Sequence, residues 1–383
     1  MDTQEKSAAN QLARRGESHA LALRSAALVS RGLRDLARDS SWLIKKVFSG
    51  SASHLAVSPV GEVCTLSPLV RQGAERIALY DIERGVPTLA LAVPGEPEMC
   101  PRGLPAVFAW SPTARHLVAA WGGWLPEFQV FDLHGKAFLG GFGDFKNFPA
   151  HLAWSDTGKY FAAGSRAGRE SWLRLWPAAQ PATASMPFDA NAAAELLAPS
   201  LAENWLEHVT DEMDSIAESG LAGFGPLAFS PDESTLAAVA EIEGDWADDS
   251  LVLLALPNFT RRAVIPAQGR ITDLAWTPDN RQLIYCSGGQ AYRVAVQSHE
   301  SETLPFGAEL CAVHPHLPLA LCFSSWLKNS AKGRLFLVDL NRLAIFDEYA
   351  AEGVVTLRWS LDGSKVFSVT SDGLAYIYEP PLL

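Results

Sequence analysis

The sequence predicts an all-β protein, a seven-bladed β-propeller with an N-terminal helical extension and an acidic helical insertion. Three observations predict it. One short phrase returns seven times, each return is followed by the same order of short apolar strands, and the last unit stops one strand short while an unclaimed strand lies near the N-terminus. Composition is compatible with this reading. Of 383 residues, 48% are apolar and 19% charged, which is enough to fill a core. No apolar run nears the roughly 18 residues that cross a bilayer.

The phrase is an apolar strand ending in an aromatic residue or Val, then Ser, Thr or His, then usually Pro or Asp. It reads Val57-Ser58-Pro59, Trp110-Ser111-Pro112, Trp154-Ser155-Asp156, Phe229-Ser230-Pro231, Trp276-Thr277-Pro278, Val313-His314-Pro315 and Trp359-Ser360-Leu361. Ser58 to Ser360 makes six intervals over 302 residues, a mean of about 50, which is a blade-sized period. Polar turn residues follow each phrase, for example Asp232-Glu233, Asp279-Asn280 and Asp362-Gly363. A small-residue strand comes next, such as Leu117–Ala120 or Leu236–Val239, and then a third strand closing on an acid: Ile77–Asp81, Phe128–Asp132, Leu335–Asp339. Short runs of Val, Leu, Phe and Tyr bounded by Gly, Pro and Asp are strands. The chain therefore reads as four-stranded blades, with strands a, b, c and d in order.

At these residues the sequence resembles the WD40 family of β-propellers over roughly residues 42–380. In that family strand a typically ends in Phe-Ser-Pro-Asp-Gly and strand c in Trp-Asp. None of the seven units here carries the Trp-Asp pair; Phe131-Asp132 and Tyr80-Asp81 are the nearest, and the Gly-His pair of strong members is absent. The resemblance implies a propeller that binds partners and lacks the buried hydrogen-bond tetrad of that family.

Ring closure follows from the chain ends. The last unit stops after Leu374–Tyr378, and an open edge would expose unpaired backbone groups. Residues Trp42–Phe48, just before the first phrase, are expected to supply the missing strand. The domain reading is a helical extension over 1–40 and a propeller over 41–383, with a helical insertion at about 189–220. In the extension Ala22, Ala26, Val29, Leu33 and Leu36 share one stripe, opposite Arg24, Arg31, Arg34 and Arg38. The third and fourth phrases lie 75 residues apart, which makes room for the insertion. There Ser200 and Glu203 form a capping box, and Leu201, Trp205, Val209 and Ile216 oppose an acidic face of Glu203, Glu207, Asp211, Asp214 and Glu218. Either helix could pack its apolar face on the ring, dock a partner, or meet the other.

Charge and cysteine usage narrow the function. The first fifty residues hold nine Lys or Arg against five acids, so with a total of −12 the rest carries −16. Such a ring repels phosphates, which disfavours nucleic acid. A membrane surface is disfavoured because the alanine-rich apolar stripe buries little area. The five cysteines are odd in number and show no C-x-x-C spacing, so they read as reduced core residues. With no secretory signal apparent, the expected location is cytoplasmic.

Catalytic constellations are not found: there is no G-x-S-x-G elbow, H-E-x-x-H or Walker loop. His314-Pro315-His316 stands where other repeats place Ser-Pro, so it reads as a turn and not a metal site. Asp248-Asp249 reads as a solvated loop. Arg261-Arg262 is similar to the paired arginines of phosphoinositide-binding propellers, but Ala263 replaces the following Gly, and a surface pair explains it better. No enzyme activity, metal or cofactor is expected.

Tryptophan placement points to binding. Trp110, Trp154, Trp276 and Trp359 end strand a and should pack between blades. Trp121, Trp124, Trp172, Trp246 and Trp326 fall at b–c connections, which in a propeller emerge on one face, with Arg166 and Arg169 beside them. Exposed Trp beside charge has the character of an interface hot spot; the alternative is that each Trp caps its own blade. The expected function is a non-enzymatic scaffold that binds a protein or peptide partner through these seven residues. A propeller enzyme or small-ligand binder using the central channel is the alternative, disfavoured because the channel-lining strands look largely apolar.

Overall fold

A computed structural model describes residues 43–49, 55–67, 76–81, 84, 86–92, 106–121, 128–142, 149–165, 172–177, 194–197, 221–242, 248–325, 333–371 and 374–380. Contacts group the chain into two units, residues 1–43 with 379–383 and residues 44–378, and the second holds the sheets.

The described residues form seven four-stranded sheets, six of them built from consecutive strands and one composite. Blade 1 is β2 (Leu55–Val57), β3 (Glu62–Ser67), β4 (Arg76–Asp81) and β5 (Val86–Ala92). Blade 2 is β6 (Ala106–Trp110), β7 (His116–Trp121), β8 (Phe128–Asp132) and β9 (Ala137–Phe142). Blade 3 is β10 (Pro149–Trp154), β11 (Tyr160–Ser165), β12 (Trp172–Pro177) and β13 (Ala194–Leu197). Blade 4 is β14 (Leu221–Phe229), β15 (Thr235–Ile242), β16 (Asp249–Ala255) and β17 (Thr260–Pro266). Blade 5 is β18 (Ile271–Trp276), β19 (Gln282–Ser287), β20 (Gln290–Ala295) and β21 (Ser301–Thr303). Blade 6 is β22 (Leu310–Val313), β23 (Leu319–Ser324), β24 (Arg334–Asp339) and β25 (Ala344–Ala350). Blade 7 joins β26 (Val354–Trp359), β27 (Val366–Thr370) and β28 (Leu374–Glu379) to β1 (Leu43–Ser49), which pairs with β28. The N-terminal strand thus completes the C-terminal blade and removes its open edge.

The first strands of successive blades touch in the order β2, β6, β10, β14, β18, β22, β26, and β2 also meets β27, which closes the circle. Cores lie between blades. Tyr160, Leu173 and Leu175 of blade 3 pack on Phe229, Leu236 and Val252 of blade 4, and Val57 of blade 1 packs on Phe367, Val369 and Ile377 of blade 7. Because the middle strands are covered on both faces, β11 and β23 are buried throughout and do not alternate. Each large apolar side chain buried this way contributes about 1.5–3 kcal/mol.

The recurring Ser or Thr has a specific structural task. Its hydroxyl accepts the backbone N–H five residues on: His116 to Ser111, Tyr160 to Ser155, Thr235 to Ser230, Gln282 to Thr277 and Lys365 to Ser360, at 2.9–3.1 Å. Where Asp follows at the second position, the hydroxyl donates to it at 2.6 Å in Ser230–Asp232, Thr277–Asp279 and Ser360–Asp362. Its carbonyl accepts the N–H of the fourth residue, which sits at positive φ as Gly61, Ala114, Gly158, Glu233, Asn280 or Gly363. In blade 6 His314 substitutes: its Nδ1 accepts the N–H groups of His316 and Leu317, each at 3.0 Å. The reading of this segment as a turn is therefore correct in its chemistry.

One boundary needs correction. Residues 194–197, inside the expected helical insertion at 189–220, form β13 and pair with β12 as the outer strand of blade 3. Ala194-Glu195-Leu196-Leu197 favours helix by composition, and pairing along the β12 edge overrides that preference. The extension expected over 1–40 and the remainder of the insertion, 189–193 and 198–220, lie outside the described residues.

Candidate functional site

Of the seven residues expected to form the partner surface, Trp172 alone has a described side chain. It opens β12, is 3% exposed, and packs edge-on against Phe128 at 6.5 Å. The Arg174 guanidinium lies over its ring at 5.3 Å, and its backbone N–H donates to Ser165 Oγ at 3.0 Å. Trp172 is thus part of the core between blades 2 and 3, which corrects its assignment to the surface. Strand c begins at this residue, so its side chain already faces the neighbouring sheet. Trp121 ends β7, but its side chain lies outside the described residues, as do Trp124, Arg166, Arg169, Trp246 and Trp326.

Two of the strand-a tryptophans tie blades together. Trp276 Nε1 donates to the Ala228 carbonyl of blade 4 at 3.0 Å, and Trp359 Nε1 to the Ala312 carbonyl of blade 6 at 2.8 Å. Trp110 is buried, and half-buried Trp154 packs on Phe161 at 5.2 Å. Arg262 Nη1 donates to Thr235 Oγ1 at 2.8 Å, a contact within blade 4. Among the described residues no three His, Cys, Asp or Glu side chains converge as metal ligands.

The a–b turns form a linked belt. Glu233 of blade 4 accepts both the N–H and the hydroxyl of Thr157 of blade 3, at 2.9 and 2.8 Å. Asn280 of blade 5 accepts the Asp232 N–H of blade 4 at 2.9 Å. His316 Nε2 lies 3.0 Å from the Leu361 carbonyl, and the Leu361 N–H donates to Pro59. These bonds join the turns of blades 3 to 5 and of blades 6, 7 and 1 at one end of the channel.

The channel is a cavity of about 850 Å³ lined by the first strand of every blade. A second cavity of about 290 Å³ opens toward the a–b turns, between Asp156, Trp276, Pro278, Pro315, Arg358 and Trp359. Three charged side chains line this region. Burial pushes the Asp273 carboxyl up to about 6, against the hydrogen bonds it accepts from the N–H groups of Cys311 and Leu274. Asp156 is exposed on its turn, and partial desolvation raises its carboxyl, opposed by Arg358 and helped by Glu233. Arg358 is lowered by burial and supported by Asp156. Water reaches Arg358 in the lumen even though the ring surrounds it.

The first strands that line the channel are largely apolar, as expected, with Asp273 and Arg358 as charged exceptions. Arg358 and Asp156 could have been found by aligning the seven phrases in columns. The residue before the aromatic or Val that ends strand a is Ala56, Ala109, Ala153, Ala228, Ala275 and Ala312 in six blades and Arg358 in the seventh.

A chain in the crystal structure of the mitotic checkpoint complex matches this one with a TM-score of 0.59, over 88% of this chain and 90% of that one. The chain has a WD40-like β-propeller fold. At 12% identity this likeness concerns the fold alone. No protein-family model matches the sequence, and no curated protein matches it. The WD40-like propeller here holds its turns with Ser/Thr–Asp pairs and His314.

Proposed function

We propose that this WD40-like propeller is a non-enzymatic, cytoplasmic scaffold that binds a protein or peptide partner on the face where the b–c connections emerge. The observation that carries the reading is its fold, which is similar to that of a propeller chain found within a multi-protein complex. A rigid ring presents several independent loops on one broad surface without needing any catalytic residue. Trp121, Trp124, Trp246 and Trp326 at those connections, with Arg166 and Arg169, have the residue types that dominate interface energetics. Trp172, being buried, is left out. Residues 51–383 carry −16, which favours a partner with a basic surface over a nucleic acid.

Affinity capture with the wild type and with a Trp124→Ala, Trp246→Ala double variant tests this. The account expects the double variant to lose the captured partner while keeping the wild-type circular dichroism spectrum and unfolding midpoint. Undiminished capture by the folded double variant would overturn the assignment of this face.

A further inference from the structure

Two columns of the sevenfold alignment break at the same cavity. The residue before the aromatic or Val that ends strand a is alanine in six blades and Arg358 in blade 7. The residue two after that position is Pro59, Pro112, Pro231, Pro278 and Pro315 in five blades, Leu361 in blade 7 and Asp156 in blade 3. A ring that needed only to close would repeat alanine and proline here, since small residues let seven strands converge. Arg358 and Asp156 both line the 290 Å³ cavity at the turn end of the channel.

These two side chains sense each other but do not pair. Each perturbs the other's charge, yet they form no ion pair within 4.0 Å, and neither side chain makes a hydrogen bond with the described residues. Asp273, by contrast, is committed to two backbone N–H groups. A planar guanidinium with free donors matches a carboxylate in a two-point fork. A free carboxylate in the same cavity repels a simple anion and accepts from an ammonium. Between them Leu274, Ala275, Val313 and Leu357 supply apolar wall, suited to a short aliphatic group.

We infer that the turn end of the channel binds a small zwitterion of the α-amino-acid type, its carboxylate held by Arg358 and its ammonium by Asp156. This site is independent of the partner-binding face. The guanidinium of Arg358 stays charged, and a bound carboxylate gives it the close counter-charge that Asp156, which forms no ion pair with it, does not supply.

Isothermal titration of the full chain with L-alanine, N-acetylalanine and alaninamide tests the inference. N-acetylalanine keeps only the carboxylate, as a peptide C-terminus would, and alaninamide only the ammonium, as an N-terminus would. Alanine should bind at least about tenfold tighter than either. Arg358→Ala should abolish binding, and Arg358→Lys should weaken it about tenfold or more because the fork is lost. Asp156→Asn should leave alanine and N-acetylalanine equal. No saturable heat with alanine, equal binding of N-acetylalanine by the wild type, or undiminished binding by folded Arg358→Lys would each overturn the proposal.

Discussion

Replacing Glu233 by glycine sets two local energies against each other. Glu233 sits at φ 56°, a conformation that glycine occupies without strain, and the corresponding residue is glycine in blades 1, 3 and 7. Relief of left-handed strain favours the replacement by about 1 kcal/mol. Against it stands the carboxylate, 8% exposed as a residue, which accepts the Thr157 N–H and receives its hydroxyl at 2.8 Å from both oxygens. Hydrogen bonds to a charged group are worth about 1.5–3 kcal/mol each, so two donors at the low end give about 3 kcal/mol. The net expectation is destabilisation of about 2 kcal/mol. Urea unfolding of wild type, Glu233→Gly, Thr157→Val and the double variant measures both the cost and the coupling. Thr157→Val removes one donor and should show a coupling of about 1 kcal/mol with Glu233. A Glu233→Gly chain as stable as the wild type would refute the claim that this carboxylate joins blades 3 and 4.

Two further outcomes follow from buried groups. The Asp273 carboxyl is held up near 6, above its unfolded value of about 3.9, so the folded chain binds this proton more tightly. That contribution is complete below about pH 4 and is lost as pH rises through about 6. Asp273→Asn should flatten this part of the stability profile measured by chemical denaturation, and an unchanged slope between pH 4 and 6 would count against it. Cys286, Cys311 and Cys322 are buried free thiols, with Cys286 raised mainly by burial and Cys322 mainly by its hydrogen bond to Cys311 at 3.6 Å. These three should resist a thiol reagent in the native state and react on unfolding; labelling of Cys322 in the folded chain, read by peptide mass spectrometry, would contradict their placement.

The blade framework was legible because each blade repeats one local chemistry. Phe128–Asp132 reads as a strand and is β8, and the expected clasp over Trp42–Phe48 meets β1 at Leu43–Ser49. The reason for the repeated Ser was not legible, because its acceptor role toward the residue five positions on appears only when the turn folds. Ala194–Leu197 escaped because an outer strand is defined by the edge it pairs with and carries little pattern of its own. Trp172 escaped because loop and strand differ there by one residue, and that residue decides whether the indole faces a neighbouring blade. Arg358 and Asp156 were present in the letters, but their meaning lay in the contrast with six other blades around a shared cavity.

The central claim is that β1 closes the ring from the opposite end of the chain. Paired truncations test it most directly: removal of residues 1–40 spares β1, and removal of residues 1–50 deletes it. Calorimetry should show the shorter deletion melting cooperatively near the wild type, and the longer one with a sharply lowered transition and aggregation from the exposed β28 edge. Equal transitions for the two truncations would contradict a ring closed by this strand.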